Sequence, residues 1–256
     1  MTAALVDLYQ PKVARVLRKL ADPPPRYIVR PDTSDWKAIR EVWERNAYCR
    51  NGIEPRPGEV WLDGGANVGA FSDLAARAGA EVVAYEAEPA NADLTARNTP
   101  ADRVAVVQAA LVADKVAAAS GGSIVLHVNS TPLGLRRHSV IKARRASHAV
   151  TVPAHGITEV MSAGYAGAKL NIEGAEIDIL TSWSPPPHLR ALVVEWSFDV
   201  DPRIATLQAA LARLRHRYPT VVLSKRIPWD AERWPANYFP PQAYIYATDG
   251  EAITWR

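Results

Sequence analysis

Five residues carry the first chemical signal in this 256-residue chain. Asp63, Gly65, Asn67 and Gly69 make the pattern D-x-G-x-N-x-G within "VWLDGGANVGAFS", and Glu86 closes the next apolar run, "EVVAYE". A strand, a glycine turn and a helix in that order form a place where backbone can approach a ligand with no β-carbon in the way. The spacing excludes two ligands. A dinucleotide fingerprint needs G-x-G-x-x-G, and Ala66 stands between Gly64 and Gly69 where the middle glycine belongs. A phosphate-cradling loop ends in Gly-Lys-Ser/Thr, and this turn has no lysine.

Charge narrows the choice further. A carboxylate at the tip of the first strand, Asp63, repels a pyrophosphate and attracts a cation. Two unit charges about 4 Å apart are worth roughly 4 kcal/mol at an effective dielectric of about 20. S-adenosylmethionine, with its ammonium and sulfonium, fits that site. The expected cofactor set is Asp63, Gly64, Gly65, Ala66, Asn67, Gly69 and Glu86, with Glu86 accepting both ribose hydroxyls. Gln108, ending "RVAVVQ", is placed either to bond the adenine amino group or to face solvent.

Candidates for the chemistry lie further along. In "GAKLNIE", Lys169, Asn171 and Glu173 alternate onto one face of an expected strand. Ligands of open α/β sheets gather at the carboxyl ends of strands, which brings Asn171 and Glu173 near a transferring methyl group. An amide takes no proton, so Asn171 orients and does not act as base. Glu173 is either a base or substrate anchor, or simply an acid favoured at a helix N-terminus. Glu195, in "RALVVEW", and His155, in "VPAHG", are the other candidate site residues. Cys49 is the only cysteine, and His127, His138 and His148 have no ligand spacing, so no metal is expected.

Positioning these residues requires strands alternating with helices. The strands are "VWLD", "EVVAYE", "RVAVVQ", "GAKLNIE", "RALVVEW", "TVVLS" and "AYIYAT"; helices are expected at 69–78, 91–98, 175–183 and 202–217. That alternation predicts a parallel, doubly wound α/β sheet. "TVVLS" and "AYIYAT" have no helix between them and should pair antiparallel. The result is the Rossmann-like, seven-stranded sheet of a class I methyltransferase. Residues 112–164 form a β-rich insertion in which "SIVLHVN" and "SHAVTVPA" pair over the mouth of the sheet. Residues 1–58 form a helical extension and 59–256 the cofactor-binding domain. One helix of the extension carries Trp36, Ile39, Val42 and Trp43 as its apolar stripe, capped by Asp32, Thr33 or Ser34. An earlier one carries Val13, Val16, Leu17 and Leu20 beside Lys12, Arg15, Arg18 and Lys19; such a basic amphipathic helix either binds a membrane surface or, as expected here, packs on its own domain or on a second subunit.

With 48% hydrophobic and 22% charged residues, the composition is that of a globular enzyme or binding module. No run is long enough to span a bilayer, and the N-terminus lacks a signal-peptide core, so a cytoplasmic protein is expected. The net charge of +3 admits an anionic partner without requiring one. Arg136, Arg137, Lys142, Arg144 and Arg145 are either a solvated hairpin or an anion site.

"WLDGGANVGAFS", "AYEAEPANADLTARN", "VQAAL" and "AKLNIEGAEIDIL" occur in this order and spacing, and together they resemble the FkbM family of S-adenosylmethionine-dependent methyltransferases. The resemblance runs from about Asp35 to Glu195. Asp35 and Tyr48 fall where that family often has an aspartate and a tyrosine. It implies cofactor roles for Asp63, Gly65, Asn67, Gly69 and Glu86, and O-methylation of a small-molecule or sugar hydroxyl. One position departs: the family usually reads K-x-D-x-E-G-x-E, and this chain has Asn171 in place of the aspartate. Two rival readings stand beside it. A nucleic-acid methyltransferase is favoured by the basic insertion and "SKR" at 224–226, but the fourth strand lacks [DN]-P-P-[YFW] and no cysteine follows it. A cofactor-binding module that has lost catalysis is favoured by Asn171.

Overall fold

The computed structural model describes residues 4–5, 26–31, 33–129, 138–141, 147–224, 232–233 and 242–250. The early helix bearing Val13, the basic cluster at 136–137 and 142–145, and Lys225 and Arg226 lie outside the described residues.

Runs of β-branched and small apolar residues become the strands that matter for the site. They are β3 (Val60–Gly64), β4 (Glu81–Tyr85), β5 (Val104–Val107), β9 (Gly167–Leu170), β10 (Ala191–Ser197), β11 (Thr220–Leu223) and β12 (Gln242–Thr248). They form one sheet in the order β11-β12-β10-β9-β3-β4-β5. β3, β4, β5, β9 and β10 run parallel, while β12 lies antiparallel between β10 and β11. This is the class I methyltransferase fold. β12 returns in the opposite sense to β10, as the sequence predicts for strands with no helical pattern between them. β10 is buried along its whole length, as a central strand covered on both faces must be.

Chain order reverses between β3 and β9: from β3 the sheet grows one way through β4 and β5, and the other way through β9 and β10. The carboxyl ends of strands diverge at such a switch point and leave a crevice. Three helices frame it. They are α1 (Asp35–Trp43), α2 (Ala70–Arg77) and α3 (Pro89–Asn98), the last capped by Glu88, whose side chain accepts from Asn91 N.

The expected insertion starts earlier than its apolar pattern suggests. β6 (Ala110–Val112) pairs in parallel with β8 (His148–Gly156), and β7 (Ser123–Val128) pairs antiparallel on its other side, giving a separate three-stranded sheet. Two helices the sequence reading did not separate lie here, α4 (Asp114–Ser120) and α5 (Ile157–Met161). α6 (Ala175–Ser182) and α7 (Ile204–Arg217) complete the main domain.

The extension is not purely helical. β1 (Ala4–Leu5) pairs antiparallel with β2 (Ile28–Val29). Nor does it stand apart: Tyr27, Ile39, Val42, Trp43 and Tyr48 share a core with Trp61, Val68 and Phe71. The stripe of α1 is rotated from the one expected. Ala38, Ile39, Val42 and Trp43 face inward, while Trp36 is 40% exposed and is flanked by Lys37 and Arg40. Ser34 occupies the N-cap but makes no side-chain cap bond. A buried ion pair holds α1 in place. Asp35 is fully buried and takes Nη2 of Arg30 at 2.8 Å, while the same nitrogen donates to Asn91 Oδ1 of α3 at 2.7 Å.

Arg30→Met should therefore leave Asp35 buried without its cation and cost about 3 kcal/mol, the low end for breaking a buried pair. Urea unfolding measures this; an unchanged midpoint would show that α1 docks by apolar contact alone.

Candidate active site

The crevice is an open cleft at the carboxyl ends of β3, β4 and β9. Its floor is the glycine turn. Its walls come from α1, from Tyr48, from the residues after β4, and from the turn between β9 and α6.

The turn is shaped by its own packing. Gly65 has φ +77°, and a β-carbon there would lie 1.9 Å from the Asn171 carbonyl oxygen. Only glycine lets the first turn residue pass beneath the end of β9. Asn67 also adopts positive φ, at 56°, a conformation asparagine tolerates better than most residues. The amides of the turn are consumed internally. Gly65 N and Ala66 N donate to Tyr85 O at 2.8 and 3.1 Å, and Gly69 N to Ala66 O at 2.9 Å. Asn67 N donates to Glu86 Oε2 at 2.7 Å. A phosphate site works by aiming such amides at the ligand. Here these four point back into the protein, so the floor offers the Glu86 carboxylate as acceptor, and below it Asn67 Oδ1 is buried without a hydrogen-bond partner. A ligand rich in donors fits, and a pyrophosphate does not.

Glu86 is 7% exposed, and its other oxygen accepts Glu88 N at 2.9 Å. Burial pushes its carboxyl up from 4.5 to about 7, against the pull of the two backbone donors. Ala87, Ala109, Ala110, Leu111 and Leu126 give the same end of the cleft an apolar wall suited to a planar base.

Asp63 does not meet a ligand directly. It is fully buried, accepting Lys169 Nζ at 3.0 Å and Ser72 Oγ at 2.6 Å. Lys169 also donates to Gly65 O at 2.7 Å and Gly64 O at 3.3 Å. The expected attraction between Asp63 and a cationic ligand is thus cancelled by a lysine paired with it across β3 and β9. Both residues were visible in sequence, but their register was not. Gly64 and Gly69 lie outside the cleft and serve packing; φ at Gly69 is +83°. Gln108 is exposed, donates to Ala87 O at 3.3 Å and does not line the cleft, which favours the solvent-facing alternative.

The catalytic candidates divide. β9 ends at Leu170, so Asn171 and Glu173 lie beyond the strand and do not alternate on its face. Glu173 has φ +51°, which no strand residue adopts, because the next residue, Gly174 at φ +108°, turns the chain into α6. Both line the cleft. Glu195 stands outside the lining, 7% exposed, and joins Asn171 Nδ2 at 2.8 Å. His155 is not brought to them. It sits on β8, in the accessory sheet, with Nδ1 3.3 Å from the Tyr85 hydroxyl, and is absent from the lining. Glu176, the last acid of the "IEGAE" run, is structural: it accepts Gly174 N at 2.7 Å and Ser197 N at 3.0 Å.

Sequence reasoning missed Glu41, Phe71 and the roles of Lys169 and Tyr48, all of which line the cleft. Tyr48 was marked only by resemblance; nothing in its local pattern distinguishes it from a core aromatic. Among the described residues there is no cluster of acids, histidines or cysteines that could hold a metal, and no helix long and apolar enough to cross a membrane.

No family model and no curated protein matches the chain. Solved structures do share its outline. The C-terminal domain of precorrin-6Y C5,15-methyltransferase from Rhodobacter capsulatus is 14% identical over 79% of this chain and 95% of that one, with a TM-score of 0.37. Aeropyrum pernix fibrillarin, solved with bound S-adenosyl-L-methionine, is 9% identical over 83% and 76%, with a TM-score of 0.43. The Methanococcus jannaschii fibrillarin pre-rRNA processing protein is 9% identical over 83% and 77%, with a TM-score of 0.44. Similarity of this degree says nothing of activity.

Asp63→Asn should strand the buried Lys169 ammonium and cost about 3–5 kcal/mol in urea unfolding. Adding Lys169→Met should recover part of the loss. A cost under about 1 kcal/mol, the range of exposed pairs, would contradict the burial of this one.

Proposed function

We propose that the chain is an S-adenosylmethionine-dependent methyltransferase acting on a hydroxyl of a small molecule or sugar. One observation carries the reading: the amides of the glycine turn are spent inside the protein, so the cleft presents acceptors to its ligand. Glu86 would take the ribose hydroxyls and Asn67 Oδ1 a further donor, while Ala87, Ala109 and Leu111 would cover the adenine. The bound cofactor supplies an activated methyl group. The protein then has to hold an acceptor oxygen in line with it, and such positioning alone supplies about 7 kcal/mol or more of rate enhancement.

The acceptor end of the cleft is lined by Glu41, Tyr48, Asn171 and Glu173. These are hydrogen-bonding groups suited to a polyhydroxy compound. The backbone of Glu173 is held at positive φ, an arrangement that costs of order 1–3 kcal/mol and is typical of functional turns. Its carboxylate serves this reading as the acceptor anchor. The resemblance to the FkbM family points to the same chemistry. The nucleic-acid alternative rests on a basic segment outside the described residues, and the decayed-module alternative rests on Asn171 alone.

Calorimetry should show binding of S-adenosylmethionine and S-adenosylhomocysteine and none of NAD or ATP. Glu86→Ala should weaken that binding by about 1–3 kcal/mol, the cost of unpaired buried hydroxyls. The pH dependence has a definite sign. The carboxylate form accepts the ribose, so affinity should rise between about pH 6 and pH 8 and level off above, following a group at about 7. In the ligand-free protein the same raised value works the other way. Its contribution to stability is present below 4.5 and is lost as pH rises through about 7. Tight NAD binding, or affinity for S-adenosylhomocysteine indifferent to both Glu86 and pH, would sink the assignment.

A further inference from the structure

Three side chains from distant parts of the sequence close a hydrogen-bonded triangle at the acceptor end. The Tyr48 hydroxyl donates to Glu195 Oε2 at 3.2 Å. Asn171 Nδ2 donates to the same oxygen at 2.8 Å and to the Tyr48 hydroxyl at 3.0 Å. Tyr48 and Asn171 line the cleft, whereas Glu195 lies behind them. The Tyr48 ring is held edge-on by Phe71 and Tyr244, with centroids 5.8 and 5.5 Å away, and the Lys169 ammonium lies 5.2 Å from its centre.

The triangle has a direction. As a carboxylate Glu195 only accepts, and the amide of Asn171 has committed both hydrogens and takes no proton. The tyrosine hydroxyl is the one member that both donates and accepts, and it links the cleft to the carboxylate. We propose that Tyr48 and Glu195 form a proton relay for the acceptor, with Tyr48 the group that touches substrate, Glu195 the final base acting through it, and Asn171 the positioning residue. This rests on the methyl-transfer reading and places the base at Glu195 in place of Glu173.

The step balances. The acceptor oxygen forms a bond to the methyl carbon as the carbon–sulfur bond breaks, its electron pair staying on sulfur. The proton of the acceptor hydroxyl passes to the Tyr48 oxygen while the tyrosine proton passes to Glu195 Oε2. Glu195 ends neutral and returns its proton to water after product leaves. The relay implies a substrate class: a neutral hydroxyl, since an acceptor already ionised has no proton to lose. Asn171 acquires a reason as well. An aspartate there would set a second carboxylate against Glu195, and the pair would compete for one proton.

Several titratable groups face the triangle. Lys169, paired with Asp63, faces it from β9. Tyr244 and Tyr246 face it from β12, the former bonded to Glu41 of α1. Tyr246 is pushed up to about 12, chiefly by burial, and stays neutral throughout the working range.

Two experiments test the relay. In the ligand-free protein with carbon-13 at the tyrosine ring-oxygen carbon, one signal absent from Tyr48→Phe should move in Glu195→Gln. A signal that stays in place would overturn the proposal. Methyl transfer from tritiated S-adenosylmethionine is then measured with methyl glycosides, phenol and catechol as acceptors. Tyr48→Phe should lower kcat by about 100-fold or more, with S-adenosylhomocysteine affinity unchanged. Glu195→Gln should do the same, and the double variant should be no worse than either single one. With phenol as acceptor, the loss in Tyr48→Phe should shrink from about pH 7 to about pH 10 as phenol ionises unaided. Full turnover by Tyr48→Phe, additive losses, or a deficit indifferent to pH would each overturn the relay and leave methyl transfer standing. A wild-type protein that binds the cofactor and methylates none of these acceptors would overturn hydroxyl methylation and the relay with it.

Discussion

The ion pair between Asp63 and Lys169 is the contact on which the site depends. It joins the tips of β3 and β9, the two strands between which chain order reverses, and its lysine also holds the carbonyls of Gly64 and Gly65. A crevice at a switch point exists because neighbouring strands lead their connections to opposite sides. Something must hold those strand ends together while the loops above them part. Both partners are nearly inaccessible, at 4% and 0% side-chain exposure, so each removes the cost of burying the other. Gly65 then passes under Asn171, the turn amides fold back onto Tyr85 and Glu86, and the face left open is lined by acceptors.

This arrangement divides the cleft into two chemical ends. At one end Glu86, carried past β4, is desolvated enough that its carboxyl titrates near neutrality. At the other, the triangle of Tyr48, Asn171 and Glu195 is assembled by α1 and its following segment packing over β9 and β10. The Arg30–Asp35 pair links those ends, since Arg30 also reaches Asn91 on the helix that Glu88 caps. An extension that sequence composition sets apart from the sheet is thereby part of the site.

Much of the fold was legible because strand and helix periods are local properties. The seven strands, the helices after them and the antiparallel return of β12 followed from apolar runs and from the lack of a helical pattern ahead of the last run. The glycine turn was legible for the same reason: Gly65 and Asn67 lie within one strand–turn–helix unit, and Glu86 directly follows the next strand. What failed was everything set by register between distant segments. Asp63 read as a free anion because its partner is 106 residues away. His155 read as a candidate base because nothing local reveals that β8 pairs with β6 in a separate sheet. Tyr48 and Glu195, 147 residues apart, carry no local pattern that would join them. Glu173 was assigned to a strand because the alternation of Lys169, Asn171 and Glu173 mimics one, although positive φ breaks it at the last member.

The central claim is that the acceptor-lined cleft between β3, β4 and β9 holds a nucleoside by its hydroxyls. A crystal structure with S-adenosylhomocysteine tests it most directly. The account predicts both ribose hydroxyls within hydrogen-bond distance of the Glu86 carboxylate, the base against Ala87 and Ala109, and the sulfur turned toward Tyr48 and Asn171. A ligand bound elsewhere, or one whose ribose lies away from Glu86, would contradict it.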